Sequence, residues 1–285
     1  MNYNLHENGW TVIVEDDIRD LSVEDILNVA KLLSEQTVVV FNKQIDISPE
    51  NQLEIAYLIG DVMHQKNKSR SNPINLIDGV IRVTGKKNDK GEPGLFGHTS
   101  ALDWHANQAS NKKRDPIVWM YGAEGMEGSR TSFINMVNVY ENLPNDFKEE
   151  IKDIQCYFGY EAGKYSTTPY FRDHVNKDNV FDLVMKTASG KVGLYYPFLQ
   201  VFGMHNIDDE KFKSIHNRLI EHILDEQHTY HHDWVNGQIL LSDQWLSLHK
   251  RWEFDRMEER VLHRIALDYN NVYEIYPNQQ IESER

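Results

Sequence analysis

Residues 236–268 read NGQILLSDQWLSLHKRWEFDRMEERVLHRIALD, and this stretch decides the kind of fold the chain can adopt. Gln238–Ser242 and Arg260–Asp268 are short strand-like runs separated by polar chain. Similar runs come earlier, at Gly79–Gly85 (GVIRVTG), Ile117–Tyr121, Thr131–Met136 and Val192–Phe202. Many short strands with turns between them predict a β sandwich or barrel rather than a parallel α/β sheet. Helices are expected at Tyr140–Ile154 and Asp208–Gln227. With no internal repeat, low-complexity tract or clear linker, residues 1–285 read as one domain, mainly β with flanking helices.

The section before Gly79 is more helical. Ser22 can cap a helix whose apolar residues Ile26, Val29, Leu32 and Leu33 follow a 3.6 period. Thr37–Phe41 (TVVVF) is a β-branched run expected to be a buried strand. Ser48-Pro49 opens a second helix, with proline in its first turn and an end near Gly60. Residues 86–97 read as a loop containing Gly and Lys. Residues 159–185 fit neither the helical nor the strand period and are long for a structureless connection, so they are a candidate lid over a binding site.

Composition narrows the function. The chain has 285 residues, 40% hydrophobic and 11% aromatic, enough for a sizeable core. Its formal charge of −14 argues against a general nucleic-acid binder, which needs a basic surface for phosphates. A small-molecule substrate is expected instead, and a homo-oligomer is compatible with the sequence. The single cysteine, Cys156, cannot form an intramolecular disulfide. Neither a signal peptide nor an apolar run of membrane-spanning length is seen, so no membrane association and a cytoplasmic location are expected.

Thirteen histidines offer several candidate sites. The densest group, His228, His231 and His232 in HTYHHDW, has no carboxylate at a consistent spacing and reads as a solvated turn. A more specific pattern is spread along the chain. Trp104-His105-Ala106-Asn107 follows a Gly-containing loop; Asn236–Gln244 leads to His249; Arg260 and Arg264 follow in RVLHRIALD. Jointly these segments resemble the taurine dioxygenase family of iron(II)/2-oxoglutarate oxygenases. That family has a W-H-x-D motif, a distant N-G-D…D-N…H segment and an R-x-x-x-R pair. GSRTSFINMVNVYENLP (128–144) and SGKVGLYYP (189–197) are similar to further segments of the family, in the same order, so the likeness covers nearly the whole chain.

The resemblance implies a jelly-roll barrel, the double-stranded β-helix, and a dioxygenase using Fe(II), 2-oxoglutarate and O2. It implies His105 and His249 as metal ligands from two strands of one barrel. Arg260, eleven residues after His249, matches the co-substrate arginine, and Thr131 could add a hydroxyl to the same carboxylate. A bidentate guanidinium suits that role. Arg264 would project on the same side of a strand as Arg260 and matches the family's substrate-anion contact. Tyr196, on the strand-like run, and Arg172, in the candidate lid, are further substrate-binding candidates.

One departure from the family pattern bears on the chemistry. The usual H-x-D is here His105-Ala106-Asn107, so a neutral amide replaces the carboxylate ligand. Asn107 could bind iron through its amide oxygen or leave a water there, with hydroxylation of a C–H bond in a small polar or anionic molecule as the outcome. A halide could take the position, giving a halogenase. Asp103, two residues before His105 and on the same face of a strand, could be the carboxylate. Finally, the chain could be a catalytically inactive ligand-binding or interaction protein.

Overall fold

The computed structural model describes residues 1–63, 75–94, 96–107, 109, 116–158, 180–187 and 189–271. Strands β1 (Tyr3–Leu5) and β2 (Thr11–Val14) precede helix α1 (Val23–Gln36) and strand β3 (Val38–Phe41). Next in the chain are α2 (Pro49–Ile59), β4 (Asn75–Ile77), β5 (Val80–Thr84) and β6 (Leu102–His105). They are followed by β7 (Ile117–Glu124), β8 (Arg130–Asn135), α3 (Met136–Asn142), α4 (Asn145–Ile151) and β9 (Gln155–Phe158). Short strands β10 (Val180–Asp182), β11 (Val184–Lys186), β12 (Val192–Leu194) and β13 (Val201–Met204) lead to α5 (Asp209–Ile223). The last four are β14 (Thr229–Asp233), β15 (Ile239–Asp243), β16 (Ser247–Arg251) and β17 (Val261–Leu267).

Two sheets form the centre. One has eight strands in the order β1-β2-β3-β15-β7-β17-β5-β4, the other four in the order β14-β8-β16-β6. All neighbours in them run antiparallel except β2 and β3. Strand alternation sends each second residue inward. Val38, Val40, Val118, Met120, Leu240 and Leu262 from the large sheet meet Phe133 and Tyr230 from the small one. The opposite parity of the large sheet, including Val39, Phe41, Trp119, Leu241 and Ile265, packs under α1 and α2. Ile134 and Leu248, on the outer face of the small sheet, join a separate core with α3, α4 and α5.

Local signals account for the helix ends. The Ser22 hydroxyl accepts from the Asp25 N–H, and Ser48 accepts from the Asn51 N–H, each satisfying a free helical donor. Helix α1 stops at Thr37, which is left-handed at φ 66°, so the expected strand begins one residue later. Helix α2 stops at Gly60, where any side chain would run into the backbone oxygen of Asp268, just beyond β17.

Three expectations are corrected. Tyr140–Ile154 is not one helix: α3 and α4 are separated around Pro144, whose ring cannot continue the first. Val192–Phe202 is not one strand: β12 ends at Leu194, and a 3-10 turn at Phe198–Gln200 follows Pro197 before β13. The HTYHHDW segment is not a solvated turn. Its middle is β14, an edge strand with Tyr230 and His232 buried. Among the described residues, no helix is long and apolar enough to cross a membrane.

Candidate active site

His105 ends β6 and His249 sits mid-way along β16. The register of this antiparallel pair puts them directly opposite one another. Their ring centroids are 4.1 Å apart. Parity explains the inward direction of His249, since Leu248 faces the helices. The turn before β16 is fixed by buried Asp243, whose Oδ1 accepts from the Trp245 and Leu246 N–H groups and whose Oδ2 accepts from the Tyr269 hydroxyl. This carboxylate is thus spent on the backbone that delivers His249.

His105 Nδ1 lies 2.6 Å from the Asp103 carbonyl oxygen. A carbonyl only accepts, so Nδ1 carries the proton and Nε2 keeps its lone pair, the arrangement expected of a metal-ligating histidine. His249 Nδ1 is buried and has no hydrogen-bond partner among the described residues. Burial lowers the pKa of His105. Burial, followed by the nearness of His105 and Arg264, holds that of His249 well below the ordinary histidine value. Two neutral imidazoles converging in this way can serve as ligands without first losing a proton.

Asn107 lies in the turn after β6. Its N–H donates to Gln244 Oε1 at 3.3 Å, and the Ala106 N–H donates to Gln200 Oε1 at 3.0 Å. These two glutamines hold the backbone so that Asn107 lines the same pocket as both histidines. Asp103 does not line it. Its carboxylate is exposed and paired with Lys250 at 3.1 Å on the outer face of the small sheet. Asp103 is therefore corrected from possible ligand to surface ion pair; what it offers the site is its carbonyl oxygen. No cluster of three or more His, Cys, Asp or Glu suited to a metal exists among the described residues.

The pocket is open to solvent and spans about 550 Å³ when its mouth is counted. Arg260 reaches it from just before β17. Its side chain is buried, with Nε and Nη1 lacking partners among the described residues. Burial, with Arg251 nearby, pulls its pKa down to about 9. Thr131 on β8 lines the pocket too, and its hydroxyl oxygen accepts from Trp234 Nε1 at 2.9 Å. Arg264 is buried on β17 and faces the same pocket, as the parity with Arg260 predicts.

Not every expected residue is there. Tyr196 is fully buried in the helix-side core, and its hydroxyl pairs with His216 Nδ1 at 2.6 Å. It is corrected from substrate contact to core residue, because the chain after β12 turns beneath α5. Arg172 lies outside the described residues, as does most of the candidate lid at 159–185. The last part of that stretch belongs to β10 and β11. The histidines of 228–232 are not among the pocket's lining residues either: His231 lies between Ser132 Oγ and Glu226 Oε1, and His232, the cross-strand partner of Thr131, meets the Tyr230 hydroxyl.

Of the polar residues that line the pocket, Arg251 was absent from the sequence expectations. Arg251 follows His249 by two positions in β16 and therefore shares its face, a signal available from strand parity alone. It is buried and lines the pocket beside Arg260. As a whole the site offers neutral nitrogen ligands and an amide at one place and buried guanidiniums at another. This arrangement can hold a divalent metal next to a small anion.

Residues 7–266 match the family model described as Taurine catabolism dioxygenase TauD, TfdA family. Pentalenolactone F synthase of Streptomyces avermitilis is 22% identical over 273 residues, covering 89% of this chain and 88% of that protein. An alpha-ketoglutarate-dependent 2,4-dichlorophenoxyacetate dioxygenase of Cupriavidus pinatubonensis is 20% identical over 264 residues, covering 88% and 92%. Among solved structures, AAD-2 in complex with Mn(II) and N-oxalylglycine superposes with a TM-score of 0.71 at 18% identity, covering 94% of this chain and 97% of that one. A taurine dioxygenase from Burkholderia xenovorans gives 0.71 at 15% identity, covering 90% and 85%. The two facing sheets are the double-stranded β-helix of these structures.

Proposed function

The chain belongs to the taurine catabolism dioxygenase TauD, TfdA family, and on that premise we propose that it is a cytoplasmic iron(II)- and 2-oxoglutarate-dependent oxygenase acting on a small polar or anionic molecule. The observation that carries this reading is the cross-strand pair His105 and His249, opening on a pocket that also contains Arg260 and Thr131. The residues fit the group: His249 Nδ1 and Arg260 Nε and Nη1, without partners among the described residues, mark polar atoms that a metal and an anion would satisfy.

In this reading His105, His249 and Asn107 hold the iron. When bound, iron with 2-oxoglutarate and O2 supplies the oxidising power for attack on an unactivated C–H bond. Arg260 receives the distal carboxylate of the co-substrate in a charge-assisted, two-pronged contact, and Thr131 donates its hydroxyl proton to the same group. The Asp103 carbonyl keeps His105 in one tautomer and one orientation. Val118, Met120 and Leu262 line the pocket with apolar surface that limits water around the reacting bond. Arg264 is the contact for an anionic group of the substrate.

A second reading, in which a halide takes part in the reaction, is favoured by one observation: no Asp or Glu is among the described residues lining the pocket. The centre is then one unit more positive than with a His-x-Asp motif.

Anaerobic addition of iron(II) and 2-oxoglutarate is expected to give a weak visible charge-transfer absorption that His105→Ala and His249→Ala abolish. Arg260→Ala should weaken the co-substrate by about 2–5 kcal/mol, the usual loss when one partner of a buried charge pair is removed. A shift of the absorption on adding chloride or bromide would favour the halide reading. No absorption at saturating iron would sink the oxygenase and leave a non-catalytic ligand-binding protein.

A further inference from the structure

We infer that Arg251 is a second anion-binding residue of the co-substrate site, forming with Arg260 and Thr131 a doubly cationic seat for a single distal carboxylate. The inference rests on the proposed use of 2-oxoglutarate and adds a residue that the family pattern did not supply.

Three elements bring these side chains together. In the pairing of β16 with β8, Arg251 is directly opposite Thr131. Cross-strand partners on one face stand about 4.5–5.5 Å apart at Cβ. Arg260 arrives from the facing sheet, close enough that the positive charge of Arg251 helps to lower its pKa. All three residues line the one pocket.

Two guanidiniums held near each other in a buried site repel, and each loses hydration. Among the described residues that line the pocket, no carboxylate compensates them. Arg251 Nε, Arg260 Nε and Arg260 Nη1 are all buried donors without partners among the described residues, and the two side chains are 6% and 3% exposed. An anion from solution relieves both deficits. A carboxylate has two oxygens and about four lone-pair sites, enough to accept from both arginines and from a hydroxyl. Thr131 is set up to be that hydroxyl. Its oxygen already accepts from Trp234 Nε1, an obligate donor, so its own proton is free to be donated.

Arg251 differs from Arg260 in the work of its remaining nitrogens. Nη1 donates to the Phe96 carbonyl at 2.6 Å, and Nη2 donates to those of His98 and Ser100 at 2.8 and 2.6 Å. Residues 96–100 lead directly into β6, which ends at His105. One guanidinium thus touches the co-substrate seat and also ties down the chain that delivers a metal ligand. Filling the seat and ordering that chain are therefore coupled.

The test titrates the Mn(II)-loaded protein with 2-oxoglutarate and, separately, with oxalate, which chelates a metal but has no distal carboxylate. Arg251→Gln should weaken 2-oxoglutarate by about tenfold or more beyond its effect on oxalate, as loss of a charge-assisted contact does, since release of residues 96–100 weakens both ligands alike. Arg251→Lys keeps the charge and is the variant to rely on if the glutamine protein does not fold. It should lose more of the 2-oxoglutarate affinity than of the oxalate affinity. Equal losses for both ligands would make Arg251 a clamp on residues 96–100 and nothing more, and an unchanged 2-oxoglutarate affinity would overturn the inference. A wild-type protein that binds Mn(II) and oxalate but not 2-oxoglutarate would instead remove the proposed function on which the inference rests.

Discussion

At Asn107 a single atom type separates this site from a His-x-Asp centre: an amide nitrogen stands where a carboxylate oxygen would be. The backbone there is held by Gln244, which in turn donates from Nε2 to Ser242 Oγ at 2.9 Å. The side chain is thus delivered to the pocket by a fixed scaffold, and changing the charge need not move the chain. Asn107→Asp should therefore tighten metal binding by about tenfold or more, because an anionic oxygen is a far better ligand for a divalent cation than an amide. Isothermal titration of the two proteins with Mn(II) reads this directly. Equal affinities would mean that position 107 lies outside the coordination sphere. The remaining assignments at this scale follow from the same kind of accounting. His249 and Arg260 have buried polar atoms without partners among the described residues, whereas Asp103 and Tyr196 are already satisfied elsewhere, by Lys250 and His216.

The elements place these residues through parity and register. Arg260 and Arg264 face the pocket because the alternate residues of β17, among them His263 and Ile265, face the helix layer, where His263 Nδ1 meets Gln52 Nε2 at 3.0 Å. Helix α2 backs this strand, and its last turn is locked to the strand end. Gly60 N–H donates to Ala56, Asp61 N–H donates to Asp268 Oδ1, and Asp268 N–H donates to the Asp61 carbonyl. With no room for a Cβ at residue 60, Gly60→Ala should cost about 1–3 kcal/mol, the usual range for overpacking. Urea unfolding measures it, and an unchanged midpoint would mean that the α2–β17 junction gives way freely. Some elements were legible beforehand and others were not, for identifiable reasons. Ser22 and Ser48-Pro49 are local signals that work through the backbone next to them, so the starts of both early helices could be placed. The run at 192–202 is apolar because it is buried on several sides, a pattern that does not distinguish a strand from a strand broken by a turn at Pro197. In β14 the alternation is carried by tyrosine and histidine, which hydropathy does not rank as core.

At the scale of the whole molecule, buried neutral histidines tie stability to pH. Burial pushes His232 and His263 each down to about 4, below the value of about 6.5 expected when unfolded. Between those values the unfolded chain binds more protons than the folded one, so stability rises with pH. The contribution is complete above about pH 6.5 and is lost as pH falls through about 4. For each histidine it amounts to at most about 3 kcal/mol, at 1.36 kcal/mol per pKa unit. Urea midpoints of the metal-free protein should fall across this window, and His232→Asn should flatten the slope by up to one proton. A variant curve parallel to the wild-type curve would show that His232 takes up its proton without loss of structure. The sequence by itself determined the strand-rich class, the caps of the first two helices and the chemical identity of the pocket's main groups: two histidines, one amide and the R-x-x-x-R pair. These depend on residue type and on neighbours in the chain. Only the tertiary structure decided that His105 and His249 are register partners, that Asp103 turns outward to Lys250, that Tyr196 belongs to the helix-side core and that Arg251 joins Arg260 and Thr131. The physical reason is that a side chain's surroundings are set by whichever strand or helix packs across from it, and in an antiparallel barrel that partner lies far away in sequence.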